Sequence, residues 1–151
     1  MPRLEVRAPT LDEMLAVREL RLEELYKPLG LTTPYESDAL VDAAQDTIHM
    51  AGLEDDRVVS TLRVENHPSF GHYVNLMVTA RDRRRQGLGR KVHDAAEMLV
   101  RDAGASCLTL HAEPEAMGFY ENLGYRETGS LAVGIIGQVV ILCPKMKKEL
   151  A

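Results

Sequence analysis

Between Val78 and Arg90 an apolar run gives way to Thr79-Ala80-Arg81-Asp82-Arg83-Arg84-Arg85-Gln86, followed at once by Gly87-Leu88-Gly89. No other stretch constrains the fold as strongly, because it reads as a strand end, a basic turn and a helix opened by two glycines one residue apart. The helix is expected from about Gly87 to Ala103. Leu88, Val92, Ala96, Leu99 and Ala103 would form one apolar stripe, and Gly104 would end it. The first turn of a helix has backbone N–H groups without internal partners, and its macrodipole adds partial positive charge there. Such an end binds phosphate oxygens. Glycine lets the backbone approach a ligand, and arginines supply charge at the rim, so a pyrophosphate is the natural occupant. A nucleoside-triphosphate loop would need Gly-Lys-Ser/Thr, whereas Gly89 is followed by Arg90-Lys91-Val92. The third glycine of a dinucleotide loop would fall at Val92.

Around this segment the chain alternates strand and helix patterns. Leu4 to Arg7 reads as a strand, and Thr10-Leu11-Asp12-Glu13 as a capping box. The helix it opens carries Leu11, Met14, Leu15, Leu22 and Leu25, and Pro28 and Gly30 stop it. Pro34 breaks the next stretch, and Ser37 is a candidate cap for a short second helix. Thr47 to Leu53 and Val58 to Glu65 read as strands joined by Glu54-Asp55-Asp56-Arg57, and another strand runs from His72 to Thr79. After the long helix come a strand from Cys107 to Ala112, with Leu108 and Leu110 on one side, and a short helix carrying Ala116, Phe119, Tyr120 and Leu123. The glycine-containing segment between Tyr125 and Gln138 reads as a turn between two strands. Val139 to Leu142 is the last strand, stopped by Pro144, with Lys145-Met146-Lys147-Lys148 as a polar tail. This pattern is that of one α/β domain over residues 1–151. It should have six to seven strands and three to four helices, and at 45% hydrophobic residues it can build a core.

Several functional classes are disfavoured. A net charge of −5 argues against nucleic-acid or membrane-surface binding, and is mildly compatible with a cationic partner. His49, His67, His72, His93 and His111 are scattered without metal-ligand spacing, so no metal is expected. Cys107 and Cys143 sit in apolar runs and read as free thiols. No segment has the length of a membrane span or the pattern of a leader, which makes the cytoplasm the expected compartment.

Two motifs resemble those of the GNAT superfamily of N-acetyltransferases. Arg84-Arg85-Gln86-Gly87-Leu88-Gly89 is similar to that family's Gln/Arg-x-x-Gly-x-Gly/Ala loop. Phe119-Tyr120-Glu121-Asn122-Leu123-Gly124-Tyr125 is similar to its second signature, and the two are separated by one helix and one strand, as in the family. The resemblance is strongest from Tyr73 to Tyr125. It implies a mixed, mostly antiparallel central sheet whose fourth and fifth strands splay apart to admit acetyl-CoA, the acyl donor. Leu76, Met77 and Val78 would then offer backbone groups to the thioester and pantetheine arm. The amides from Arg84 through Arg85, Gln86, Gly87 and Leu88 to Gly89 would hold the pyrophosphate, with Arg90 at the rim.

Tyr120 matches the family's tyrosine that donates a proton or hydrogen bond to the departing sulfur. A phenol, with a pKa of about 10, is a weaker acid than a thiol at about 8.5, so the sensible role is a positioned hydrogen-bond donor. An alkylammonium acceptor, with a pKa of about 10.4, must lose a proton before attack. The acid some family members carry for this is absent at Val74. Glu65, His72 or a water held by Asn75 are the open candidates, and His111 reads as structural. Glu113 departs from the Asn or Ser common in the family. A carboxylate there is unfavourable beside phosphates unless it points to solvent or to the acceptor. The implied activity is direct acetyl transfer to a small-molecule or protein amine. The alternative is a CoA-binding sensor that has lost turnover. Tyr26, Tyr35, Glu36 and Asp38 are candidates for an amine site, and the resemblance also allows a homodimer.

Overall fold

The computed structural model describes residues 3–31, 36–136 and 139–150. Seven strands form one sheet: β1 (Leu4–Arg7), β2 (Ile48–Glu54), β3 (Arg57–His67), β4 (Gly71–Thr79), β5 (Cys107–His111), β6 (Arg126–Ile136) and β7 (Val139–Glu149). Their spatial order is β1-β2-β3-β4-β5-β7-β6. Every neighbouring pair is antiparallel except β4 and β5, which are parallel. Four helices accompany them: α1 (Glu13–Arg21), α2 (Glu36–Ala43), α3 (Leu88–Asp102) and α4 (Met117–Asn122). The mixed sheet expected from the sequence is the sheet observed.

α3 covers one face. Its Leu88, Val92, His93, Ala96 and Val100 are buried, and Val92, Ala96 and Val100 pack against Leu62, Val64, Leu108, Leu110 and Met146. The expected stripe therefore shifts at its end. Val100, four residues after Ala96, stays on the inner side, while Leu99 is 44% exposed. His93 enters this apolar layer because its Nε2 and the Tyr125 hydroxyl lie 2.7 Å apart, so each satisfies the other.

α1 covers the opposite face, with Val17 and Leu20 packed on Ala51, Leu53, Val59 and Val78. The capping box forms as the sequence suggested: Glu13 N–H donates to Thr10 Oγ1 at 3.2 Å, and Thr10 N–H donates to Glu13 Oε1 at 2.9 Å. Leu11 and Leu15, expected on the apolar face, are 88% and 66% exposed. Leu11 precedes the helix, and α1 continues into a π-helical turn, Leu22–Tyr26, and a 3-10 turn, Lys27–Leu29, before Gly30 ends it. The inner face of α1 is Val17, Leu20 and Arg21, at i, i+3 and i+4, which leaves Leu15 outside it, and the π-helical turn brings Tyr26 onto the same side. α2 begins at Glu36, so Ser37 lies inside its first turn, and Pro34 is outside the described residues.

The C-terminal third departs most from expectation. The segment read as a turn after Tyr125 is strand β6, and Pro144 does not stop β7, which runs on to Glu149. Proline is tolerated there because it faces Leu131, where the β6–β7 register shifts, and because its carbonyl accepts the Ala112 N–H at 3.0 Å. The lysine-rich tail thereby becomes the part of β7 that pairs with β5, with Met146 fully buried.

A buried charge cluster joins α1, α2 and β3. Arg21 Nη1 donates to Asp42 at 2.7 Å, and the Arg63 guanidinium reaches Asp42 and Asp38 at 3.1 Å each and Glu65 at 3.0 Å. The side chains of Arg21, Asp42 and Arg63 are 2%, 3% and 3% exposed. Burial pushes the Asp42 carboxyl up, but the hydrogen bonds and charges of Arg21 and Arg63 outweigh it, and the group is held below the usual carboxylate range. Its stabilising contribution is thus present above the unfolded carboxyl pKa, about 3.9, and fades as pH falls through the lower folded value. Asp42→Asn should cost about 3–5 kcal/mol at neutral pH in urea denaturation, because Arg21 loses its counter-charge in the interior. The wild-type and variant stability curves should converge below about pH 4.

Candidate active site

The site begins where β4 leaves β5. These two strands are paired at Tyr73 and Thr109 alone. Toward β3 the register skips: Thr61 faces Val78 and Arg63 faces Asn75, leaving both Leu76 and Met77 opposite Leu62. Leu76 carries the strain of this bulge at φ 50, a left-handed conformation that a leucine rarely adopts. Asn75 supports it, since its Oδ1 accepts the Leu76 N–H at 2.9 Å while its Nδ2 donates to Glu65 at 3.4 Å. β4 is thereby turned away from β5, and a cleft opens between them.

The cleft has two parts that share Met77, Ala116 and Tyr120. The first is a trough of 630 Å³ lined by β4, the basic turn, the start of α3, and α4. Of the residues singled out from the sequence, Met77, Val78, Arg84, Arg85, Gly87, Leu88, Gly89 and Arg90 line it. Leu76 lines the other part, and Gln86 is exposed and borders neither. Sequence reasoning missed Thr79, Arg83, Phe119 and Asn122. Phe119 could have been found as the neighbour of Tyr120 in the second motif.

The trough wall is backbone at the helix start. Arg85 and Gly87 both take positive φ, 64 and 77, and α3 has no side-chain cap on its first-turn amides. A Cβ on Gly89 would stand 3.3 Å from Met77 Cε and 3.4 Å from Phe119 Cζ, so the trough floor tolerates hydrogen alone without displacement. Arg83 is held by Glu54 at 2.6 Å, and Arg84 by Glu24 at 2.8 Å. The exposed Arg85 side chain makes no ion pair or hydrogen bond among the described residues. The helix end, its glycines and this guanidinium suit a diphosphate.

The second part is a chamber of 420 Å³ lined by Leu25, Tyr26, Leu29, Leu31, Asp38, Asn75, Leu76, His111 and Glu113, among others. Tyr26 and Asp38, two of the candidate amine-site residues, meet here, with the phenol donating to the carboxylate. Tyr35 lies outside the described residues, and Glu36 is the first residue of α2. Of the candidate bases, Glu65 is committed to Arg63 and Asn75, and neither it nor His72 lines the chamber. Val74 is 4% exposed and belongs to the core. His111, read as structural, instead forms part of the chamber wall. Its Nδ1 is 2.7 Å from the Tyr73 hydroxyl, and burial, then Lys145 and His67, pull its pKa down, so the ring is neutral at pH 7.

Tyr120 stands at the junction, its hydroxyl donating toward Met77 Sδ at 3.8 Å. Burial above all, then the charge of Glu113 and the neighbouring Tyr73, push its pKa up to about 12. It is therefore a neutral phenol with a proton to share across the physiological range. Cys107 and Cys143 are free and half-buried. Among the described residues no group of His, Cys, Asp or Glu is arranged to hold a metal ion, and no helix is long and apolar enough to cross a membrane.

Comparison with known proteins places this arrangement. Residues 25–135 match the model of the acetyltransferase (GNAT) domain family. A Bacillus subtilis (strain 168) protein described as an acetyltransferase is 31% identical over 108 residues, covering 72% of this chain and 73% of its own. A Streptococcus pyogenes protein named an acetyltransferase is 36% identical over 84 residues, or 56% of this chain and 58% of its own. The fold is that of an acyl-CoA N-acyltransferase from Pseudomonas aeruginosa, with a TM-score of 0.76 over 98% of this chain and 99% of that one at 20% identity. The chain belongs to the GNAT acetyltransferase family.

The family implies an acyl-CoA donor, for which the uncapped α3 amides and Arg85 could hold the diphosphate and β4 the pantetheine arm. Gly89→Ala should weaken acetyl-CoA binding about tenfold in calorimetry, close to 1.4 kcal/mol, while the far-ultraviolet spectrum stays unchanged. Gly87→Ala, at a left-handed position with open space around it, should lower folding stability by about 1 kcal/mol in urea denaturation.

Proposed function

We propose that this chain transfers an acetyl group from acetyl-CoA to a primary amine by direct attack within a ternary complex. The observation that carries the reading is the position of Tyr120, the one titratable side chain shared by the donor trough and the acceptor chamber. Acetyl-CoA supplies the activated acyl carbon, and the residues of the chain arrange the rest. With a pKa near 12, Tyr120 does not surrender its proton outright to a thiolate of ordinary basicity. It stabilises charge developing on the departing sulfur through a hydrogen bond. The extended backbone of β4, unpaired on its β5 side beyond Tyr73, is free to bond the amide-bearing arm and the thioester oxygen.

The acceptor must arrive as an ammonium and lose a proton. His111 is suited to take it: the ring lines the chamber, is held neutral, and is fixed by Tyr73. With Nδ1–H donated to the Tyr73 oxygen, Nε2 carries the free lone pair. The acceptor itself is a small-molecule or protein amine.

Tyr120→Phe should lower kcat about 100-fold with the acetyl-CoA dissociation constant unchanged, read by thiol release and calorimetry. Wild-type protein that binds acetyl-CoA yet turns over no amine would replace this reading with a CoA-binding sensor, which the buried Val74 at the usual acid position favours. Because the folded pKa of His111 lies below its ordinary 6.5, kcat/KM should fall on the acid side only below about pH 6.5. His111→Asn should depress the plateau and remove that limb.

A further inference from the structure

We infer that the acceptor is a cationic amine lacking a carboxylate, of the diamine or polyamine kind, and that Glu113 pairs with its second ammonium. This rests on the proposed function and concerns the acceptor chamber alone. Among the described residues, the charged side chains lining that chamber are Asp38 and Glu113, with no lysine or arginine. Residues 32–35, which lie next to the chamber in sequence and outside the described residues, are Thr-Thr-Pro-Tyr and add no cation.

The guanidinium paired with Asp38 is already committed. Arg63 donates through Nε to Glu65 at 3.0 Å, through Nη1 to Asp42 at 3.1 Å and the Asp38 carbonyl at 3.5 Å, and through Nη2 to Asp38 at 3.1 Å. Its side chain is 3% exposed, so a substrate carboxylate could reach it only by displacing one of its own partners. Lys145, across from His111 on β7, does not line the chamber and is held over the Phe70 ring at 5.2 Å. Arg21, whose Nε and Nη2 make no hydrogen bond, is 2% exposed and does not line the chamber. Among the described residues, a carboxylate entering the chamber would therefore meet two negative groups and no lining cation.

Glu113 differs from Asp38. Asp38 is tied to Arg63 and Tyr26, whereas the Glu113 carboxylate makes no ion pair or hydrogen bond among the described residues. It borders the chamber and the adjoining stretch of cleft along Met77 to Thr79, but not the trough at the α3 amides. Arg84, which shares that adjoining stretch, is engaged by Glu24. The exposed Glu113 thus borders the chamber without joining the wall of α3 amides. The chamber wall also carries Leu25, Leu29, Leu76 and Leu110, which suits a chain of methylenes carrying a charge at its far end.

Cadaverine, pentylamine and lysine test this, since they share a five-carbon amine and differ by one ammonium or one carboxylate. The expected order of kcat/KM is cadaverine, then pentylamine, then lysine. Glu113→Gln should raise the KM for cadaverine about fivefold, leave that for pentylamine nearly constant, and leave acetyl-CoA affinity unchanged. Lysine used as well as cadaverine, or a Glu113→Gln effect equal on cadaverine and pentylamine, overturns the inference. Should neither these three nor any other amine be turned over while acetyl-CoA binds, the proposed function falls. With none of the three turned over, the inference is read from their binding to the CoA-saturated protein: tighter cadaverine than lysine supports it, and equal, weaker or no cadaverine binding overturns it.

Discussion

One side-chain hydrogen bond supports the bulge that opens the cleft. The Asn75 side-chain oxygen Oδ1 accepts the N–H of Leu76 and so supports a left-handed leucine in the middle of a strand, a conformation that costs about 1–2 kcal/mol for a residue with a side chain. That local cost is offset because β3 pairs with β4 on both sides of the bulge and fixes its position. Without the extra residue, β4 would stay in phase with β5 past Tyr73 and the sheet would close. The bulge therefore decides both where the cleft lies and which residues border it: Leu76 the chamber, Met77 both parts, Val78 the trough.

Electrostatics divides what the bulge opens. On one side the unpartnered amides of α3 and the arginines of the preceding turn make a wall suited to phosphate, and the basic residues there are steadied by Glu24 and Glu54. On the other side the wall is aliphatic and acidic, and its arginine is consumed by carboxylates. Tyr120 sits where the two meet, neutral and desolvated, so a polar donor is available at the boundary without adding charge to either side.

Most of the scaffold could be read from residue patterns. The period of α3, the capping box at Thr10, the hairpin at Asp55-Asp56 and the glycine pair are local features, and their consequences are local. The misread parts depend on contacts distant in sequence. Pro144 normally marks the end of a strand, and its tolerance here follows from a register shift set by β6. Leu11 is exposed because it precedes α1, and Leu15 because the buried face of α1 runs through Val17, Leu20 and Arg21. The trough was legible because a helix start and its arginines lie within a dozen residues. The chamber was not, since it is assembled from α1, α2, β4 and β5, and nothing in the run around Asn75 and Leu76 signals a bulge. Glu113 was visible only as a departure from a family pattern, and its meaning depended on which part of the cleft it borders.

The cluster of Arg21, Asp38, Asp42, Arg63 and Glu65 also limits how this enzyme can be re-engineered. One wall of the chamber is fastened to the sheet through interlocking charges, in which Asp42 pairs with both Arg21 and Arg63 and Arg63 pairs with three carboxylates. A single exchange at Asp38 intended to admit a new acceptor would leave Arg63 under-compensated in the interior, so selectivity at that wall should drift only through coupled replacements. Glu113, outside this lattice, is free to vary alone.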